Sequence, residues 1–490
     1  MENKSIKKNM LMNVILTLSN FVFPLITFSY ISRVLTPVGT GKVAFVTSFL
    51  SYFSYFSSLG IPIYGLREAA KIRDDKKKLS QLVFELLIIN AISMFVSCLL
   101  LAICTLSVNK LFDYRMLILI MSTSILFTAI GMEWLYNALE EYSYITIRSL
   151  IFKIIYIPLT FILIKTQDDY LWYGFLSVFV ASASYICNFV NIRKHVSFSN
   201  LKKPDLFKHI KPILILFSAA IIINVYANFD VVMLGFIRNE WEVGLYNTAL
   251  KLKTIVLSIS TATTAVLIPR ITTAIDKKNF DQAKNLISLS IKTSLLFAIP
   301  LAVFTFVNGV DIVMLLFGEQ YLGSVSTLKV LMVCIIPLVF TNVFGNQILI
   351  ASGKEKLFTI SVFVGMIINL TLNLLMIPKL GSFGAALGTL ITEIWNVIFM
   401  GYFANKVVNG YGRQLRLLKF LIAIAITPIV NLIAVLMTNG LNIFMRLFIS
   451  GISFFTTYYL ILLLEKEELL ASQVNKFLKR IRFTKKTKMN

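Results

Sequence analysis

The sequence predicts an all-α polytopic membrane protein of about fourteen transmembrane helices, arranged as two six-helix lobes related by an internal repeat plus a C-terminal helix pair. Three observations predict it. Apolar runs of about twenty residues recur along the chain, each long enough to cross roughly 30 Å of hydrocarbon as a helix. Of 490 residues, 57% are hydrophobic and only 14% charged, with a mean hydropathy of +0.80, unlike a water-soluble chain of this length. Loops about 203 to 213 residues apart resemble each other. The ten-residue alternation of a membrane β-barrel is absent.

The expected spans lie near 10–31, 43–65, 82–106, 116–136, 149–164, 171–190, 213–237, 244–268, 288–310, 328–351, 357–377, 383–404, 419–437 and 444–464. The weakest is 149–164, which is short and contains Lys153. The first run has no small-residue cleavage site behind it and reads as a retained helix rather than a leader. This divides the chain into an N-lobe (1–190), a basic linker (191–212), a C-lobe (213–404), a last pair of helices within 405–464 and a basic tail (465–490).

The net charge is +23. With these spans, 35 of the 47 Lys and Arg fall on the side of the termini and 9 on the other. The split is the positive-inside bias, so both termini are expected in the cytoplasm and no nucleic-acid partner is needed. The tail, with Lys479-Arg480-Ile481-Arg482, reads either as an orientation signal or as a contact to anionic lipid headgroups. Cys98, Cys104, Cys187 and Cys334 lie in apolar runs without a CxxC pattern and read as small buried hydrophobes. His195 and His209 share a basic loop, and no metal site is expected from them.

The repeat is carried by loops. Val38-Gly39 precedes a span ending at Arg67 and then Asp74-Asp75-Lys76-Lys77; Val243-Gly244 precedes a span ending at Arg270 and then Asp276-Lys277-Lys278. Six spans separate the copies, so the copies run parallel, the pattern of two lobes around an axis along the membrane normal.

Polar residues inside the spans supply the site candidates. In the first span Asn13, Thr17, Asn20, Pro24 and Thr27 step by four and three and share one helix face. Arg33 and Lys42, in the turn that follows, are basic candidates. The stretch Ile213 to Arg270 carries ionisable residues where a membrane helix rarely has them. Asn247, Lys251, Thr254, Ser258 and Thr261 form another single-face stripe, which either packs against a neighbouring helix or lines water. Lys253 lies about 200° round from Lys251, so the two face different surroundings. Lys253 is expected to snorkel or to pair with Asp230 or Glu242, and Asp230 is either an ion-pair residue or a coupling-ion site. Glu85 and Glu393 have no evident role.

Gly131 to Ser149 reads GMEWLYNALEEYSYITIRS. Glu133, Trp134, Glu141, Tyr144, Ile145, Arg148 and Ser149 match the cytoplasmic turn of Wzx-type flippases, which the chain resembles over nearly its whole length. Asn137-Ala138 stands where that family usually has Gln-Gly. Ser32 to Lys42 and Asp230 to Tyr246 are similar to it as well. The resemblance places the chain in the polysaccharide-transporter branch of the multidrug/oligosaccharidyl-lipid/polysaccharide superfamily, with a fold like MATE transporters and MurJ. It implies a non-enzymatic flippase of a bacterial cytoplasmic membrane. The implied cargo is an undecaprenyl-pyrophosphate-linked oligosaccharide, with membrane lipids around it, a polysaccharide polymerase and a chain-length regulator as partners, and no cofactor. Capsule, O-antigen and teichoic-chain flippases share the pattern. A cation-coupled multidrug antiporter is the alternative of the same fold, although the first span lacks the acidic residue it would want. A membrane polymerase or glycosyltransferase is disfavoured by short loops and scattered acids.

Overall fold

The computed structural model describes residues 6–199, 201–410 and 417–471; the basic sequence at Lys479 to Arg482 lies outside the described residues. All regular structure among the described residues is helical, as the apolar runs predict. Eleven helices among the described residues are long and apolar enough to cross a membrane. Two reasons separate this number from fourteen. The helices Ile6–Ser58 and Glu355–Val407 each join two expected spans across a kink. The helix Glu240–Ala265 is not among the eleven, because two glutamates and two lysines dilute its apolar residues.

The helices divide into two units. The first comprises residues 1–247 with 373–385. Its elements are α1 (Ile6–Ser58), α2 (Ile61–Ile72), α3 (Lys76–Ser107), α4 (Asn109–Asp113), α5 (Arg115–Gly131), α6 (Glu133–Ala138), α7 (Tyr142–Leu163), α8 (Tyr170–Asn191), α9 (Phe207–Ile237) and the start of α10 (Glu240–Ala265). Helix α1 breaks at Thr36, whose φ of 61° is unusual for a β-branched residue. The cause is Pro37, whose ring bars the preceding residue from helical geometry. Helix α3 starts at Asp75, whose carboxylate accepts the amides of Lys77 and Lys78, both at 3.1 Å. Helix α5 stops where Met132 turns left-handed. An apolar core of Ile61, Leu79, Val83, Leu86, Trp134 and Leu135 joins α2, α3 and α6 at one end of the unit.

The repeat loops meet within this unit. A Cβ on Gly41 would overlap the Glu240 carbonyl, and one on Gly244 would overlap that of Pro37. Glycine lets the two backbones touch there.

The second unit comprises residues 248–372 and 386–490. It holds the rest of α10, then α11 (Ile268–Asp276), α12 (Phe280–Val307), α13 (Gly309–Phe317), α14 (Ser324–Val333), α15 (Ile335–Asn342), a π-helical turn (Val343–Ile350), most of α16 (Glu355–Val407), α17 (Leu418–Met437) and α18 (Ile443–Leu464). The last pair is fastened by polar contacts. Asn308 accepts from Asn431 at 3.2 Å and from Ser450 at 2.9 Å, Arg446 pairs with Asp311, and the Tyr458 hydroxyl donates to the Leu295 carbonyl at 2.7 Å. In hydrocarbon, where helices gain little from burying apolar surface, such bonds hold neighbours together.

Candidate functional site

Helix α7 corrects the weakest expected span. It begins at Tyr142 rather than 149 and runs 22 residues, so Arg148 is a helix residue and not a loop charge, while Lys153 lies in the helix as expected. The polar look of Tyr142 to Ser149 conceals the first two turns. The helix carries Lys153 into the interior of the first unit, where it is 9% exposed. Its ammonium donates to Ser19 Oγ at 2.7 Å and Asn20 Oδ1 at 2.5 Å, both on α1. Neither acceptor is charged, and Lys153 makes no ion pair with a carboxylate among the described residues.

Of the other candidates in the first unit, Asn20 thus belongs to the Lys153 contact. Thr17 and Arg33 are exposed. The side chain of Asn13 lies outside the described residues. Lys42 stands 4.4 Å above the ring of Tyr170, a cation–π contact. Asp230 accepts from the Tyr246 hydroxyl and from Asn373 Nδ2 at 2.7 Å. Glu242 accepts the amide of Ser382 at 2.8 Å. That contact sits at the kink of α16, where Gly381 has a φ of 57° and where a Cβ would run into the Glu242 carboxylate.

On α10, Asn247, Lys251, Lys253 and Ser258 are half-buried and Thr254 is exposed. The hydroxyls of the stripe bond to their own helix: Thr254 to the Leu250 carbonyl at 2.8 Å and Ser258 to that of Ile255 at 2.7 Å. They therefore place little demand on a neighbour.

The Wzx-like turn separates into a fastening and an open group. Arg148, 6% exposed, donates to the Asn188 side chain and lies over the ring of Tyr144. Asn188 in turn donates to the Gly131 carbonyl at 2.6 Å, and its own carbonyl accepts the Tyr136 hydroxyl at 2.6 Å. Glu141 lies 3.6 Å from the ring of His195. Trp134 packs where Gly65 leaves room, since a Cβ there would come within 2.7 Å of the indole. These contacts lock α5, α6, α7 and α8 together. Glu133 is different: its side chain makes no hydrogen bond or ion pair among the described residues, and it lines a cavity of about 290 Å³.

One cluster has no counterpart among the sequence expectations. His209 is not in a loop but in the first turn of α9, 4% exposed. Its ring bonds to the Tyr64 hydroxyl at 2.7 Å and to Glu85 at 2.8 Å. Glu85 also takes Lys208 at 2.9 Å, Gln81 at 2.9 Å and the amide of Asp205 at 3.0 Å. Its role, unassigned from sequence, is to tie α3 to the start of α9. The one local signal was Gln81, a turn before Glu85 on the same face.

Comparison with known proteins agrees with this architecture. A family model described as "Polysaccharide biosynthesis protein" matches residues 6–275, and one described as MatE matches 216–375. A protein named "Putative O-antigen transporter" from Escherichia coli (strain K12) is 23% identical over 404 residues, covering 79% of this chain and 94% of that protein. One named "Probable low-salt glycan biosynthesis flippase Agl15" from Haloferax volcanii is 24% identical over 215 residues, 43% of this chain and 45% of its own. Among solved structures, the lipid II flippase MurJ in an inward closed conformation superposes with a TM-score of 0.74 at 16% identity, covering 94% of this chain and all of that one. An inward-facing multidrug resistance MATE family transporter does so with a TM-score of 0.62 at 13% identity, covering 79% and 94%. These two likenesses establish a shared fold.

Proposed function

Because the chain belongs to the polysaccharide biosynthesis protein family, in the Wzx-type branch of its superfamily, we propose that it flips lipid-linked oligosaccharides across the membrane. The cargo is a repeat unit on undecaprenyl pyrophosphate, moved from the inner to the outer leaflet of a bacterial cytoplasmic membrane by alternating access. Both termini stay in the cytoplasm. The observation that carries this reading is Lys153. A lysine within a span costs about 3 kcal/mol or more, depending on the scale. Here it is 9% exposed and, among the described residues, is held by neutral oxygens. An anionic diphosphate is the cargo that offsets such a charge. Lys251, with Asn247, Thr254 and Ser258 along the same face of α10, is proposed in its own right as a diphosphate contact, and Thr17, Asn20, Arg33 and Lys42 as polar contacts of the path.

Proteoliposomes loaded with undecaprenyl-pyrophosphate-linked oligosaccharide test it. With the wild-type chain, cargo of the inner leaflet becomes accessible to an impermeant glycosidase added outside; with Lys153→Met it stays protected. The match to the MatE model, which spans Asp230, favours a second reading as a cation-coupled antiporter. Efflux of a cationic drug driven by a proton or sodium gradient, with the oligosaccharide still protected, replaces the flippase reading by that one.

A further inference from the structure

The first unit contains a second cavity, of about 580 Å³, which shares Ser58, Pro62, Thr128 and Tyr185 with the cavity at Glu133. The two adjoin. Neither is lined by a lysine or arginine among the described residues, so neither suits a phosphate. Their walls instead offer hydroxyls and amides, including Ser51, Ser54, Asn137 and Asn224, with the rings of Tyr55 and Tyr185.

Two groups at the Glu133 end lack protein partners among the described residues. One is the Glu133 carboxylate. The other is Asn90, 6% exposed, whose Nδ2 donates to the Ala129 carbonyl at 2.8 Å while its Oδ1 is buried and unpartnered among the described residues. Both residues line the same cavity, where the Asn90 Oδ1 is covered and the Glu133 carboxylate is the acceptor left open. An open carboxylate favours a ligand rich in donors. The wall behind them is rigid. Trp134 is seated against Gly65, and Tyr185 fills the place where Gly131 has no side chain.

We propose that these adjoining cavities form a glycan subsite, in which Glu133 accepts hydrogen bonds from adjacent hydroxyls, or from an amino group, of a hexose residue. A carboxylate can accept from two neighbouring hydroxyls at once, and an aromatic ring packs against the C–H face of a pyranose. The subsite rests on the flippase reading and takes the sugars of the cargo, not its diphosphate. Because Glu133 stands at the start of the turn expected in the cytoplasm, it meets the glycan as cargo loads from the inner leaflet.

The test uses the full chain in lipid nanodiscs and two probes. One is the free oligosaccharide released by mild acid from the lipid-linked pool of the source cells; the other is undecaprenyl diphosphate without sugar. Glu133→Gln is expected to weaken the oligosaccharide by about tenfold, the size of a lost hydrogen bond to a charged group. Its effect on undecaprenyl diphosphate should be less than about twofold. Asn137→Leu, on the same wall, should show the same selectivity and guards against a folding defect in the first variant. Oligosaccharide binding unchanged in both variants, or equal weakening of both probes, overturns the subsite, whose space is then a water-filled vestibule. A wild-type chain that flips cargo while Glu133→Gln keeps its glycan affinity sinks the subsite alone. A wild-type chain that binds neither probe and flips nothing sinks the flippase reading with it.

Discussion

Glu85 and Glu133 sit on the same core of the first unit, one on α3 and one on α6, and they differ in what surrounds them. Glu85 is enclosed by Gln81, Lys208, His209 and a backbone amide. Glu133 faces open space and has none of these. The difference teaches that saturation separates a fastening from a recognition group. A fully partnered carboxylate has no acceptor capacity left for cargo, whereas an open one pays for its desolvation only when something binds.

The largest effect that would sharpen this contrast is expected at Glu85. Glu85→Ala leaves Lys208 without its counter-charge and the buried His209 ring without a hydrogen-bond partner, and should lower stability by about 2–3 kcal/mol, once the exposure of Lys208 is allowed for. The readout is thermal unfolding in detergent, and Glu133→Ala should melt close to wild type. If Glu133→Ala is the less stable of the two, the contrast is broken. Next is the same comparison on α10. Lys251→Gln should abolish export in proteoliposomes while Lys251→Arg keeps part of it, since the cation survives with a changed shape. Lys253→Gln, on the other face, should be milder. Equal loss at both lysines would count against a diphosphate contact at Lys251.

A smaller effect concerns energy supply. A diphosphate carries about two negative charges, and moving each outward yields about 2.3 kcal/mol per 100 mV, interior negative. Flipping is therefore expected to follow an imposed potential without an ion gradient. Strict dependence on sodium or protons that Asp230→Asn removes, with indifference to potential, would make Asp230 a coupling site rather than a fastening like Glu85. The smallest effect is expected at Asp75, a carboxylate held below its ordinary range by the amide and side chain of Lys78 and by the amide of Lys77. A lowered folded value stabilises above the ordinary carboxylate range, and that contribution fades as pH falls through the lowered value. Asp75→Asn should thus flatten only the acid limb of the unfolding profile, and a shift of the neutral-pH midpoint as large as that of Glu85→Ala would break the ranking.

The helical class was legible because roughly twenty apolar residues in a row have few other ways to satisfy their backbone. The kinks at Thr36 and Gly381 were legible only as gaps between expected spans, 31–43 and 377–383, since spacing shows a break but not its geometry. The start of α7 was hidden: Tyr142 to Ser149 carries hydroxyls and an arginine, and only the pocket formed by Tyr144 and Asn188 makes Arg148 a core residue. The contact of Lys153 with Ser19 and Asn20 spans more than 130 positions, and that of His209 with Glu85 spans 124. Pairings at such range follow from helix packing, which no local pattern encodes. For Lys251 and its stripe, spacing supplied the shared face of α10, and hydropathy alone could not say what that face meets.

The low apolar content of α10 bears on how the chain is made. Its two lysines each oppose entry into hydrocarbon by about 3 kcal/mol. Asp230, near the end of α9, is equally unwelcome there until the Tyr246 hydroxyl reaches it. The two helices therefore do best to leave the translocation channel as a hairpin, with the carboxylate and the phenol already bonded. Helix α9 emerges first and cannot settle at once: its stable seat in the bilayer waits until the ribosome has delivered a tyrosine sixteen residues later.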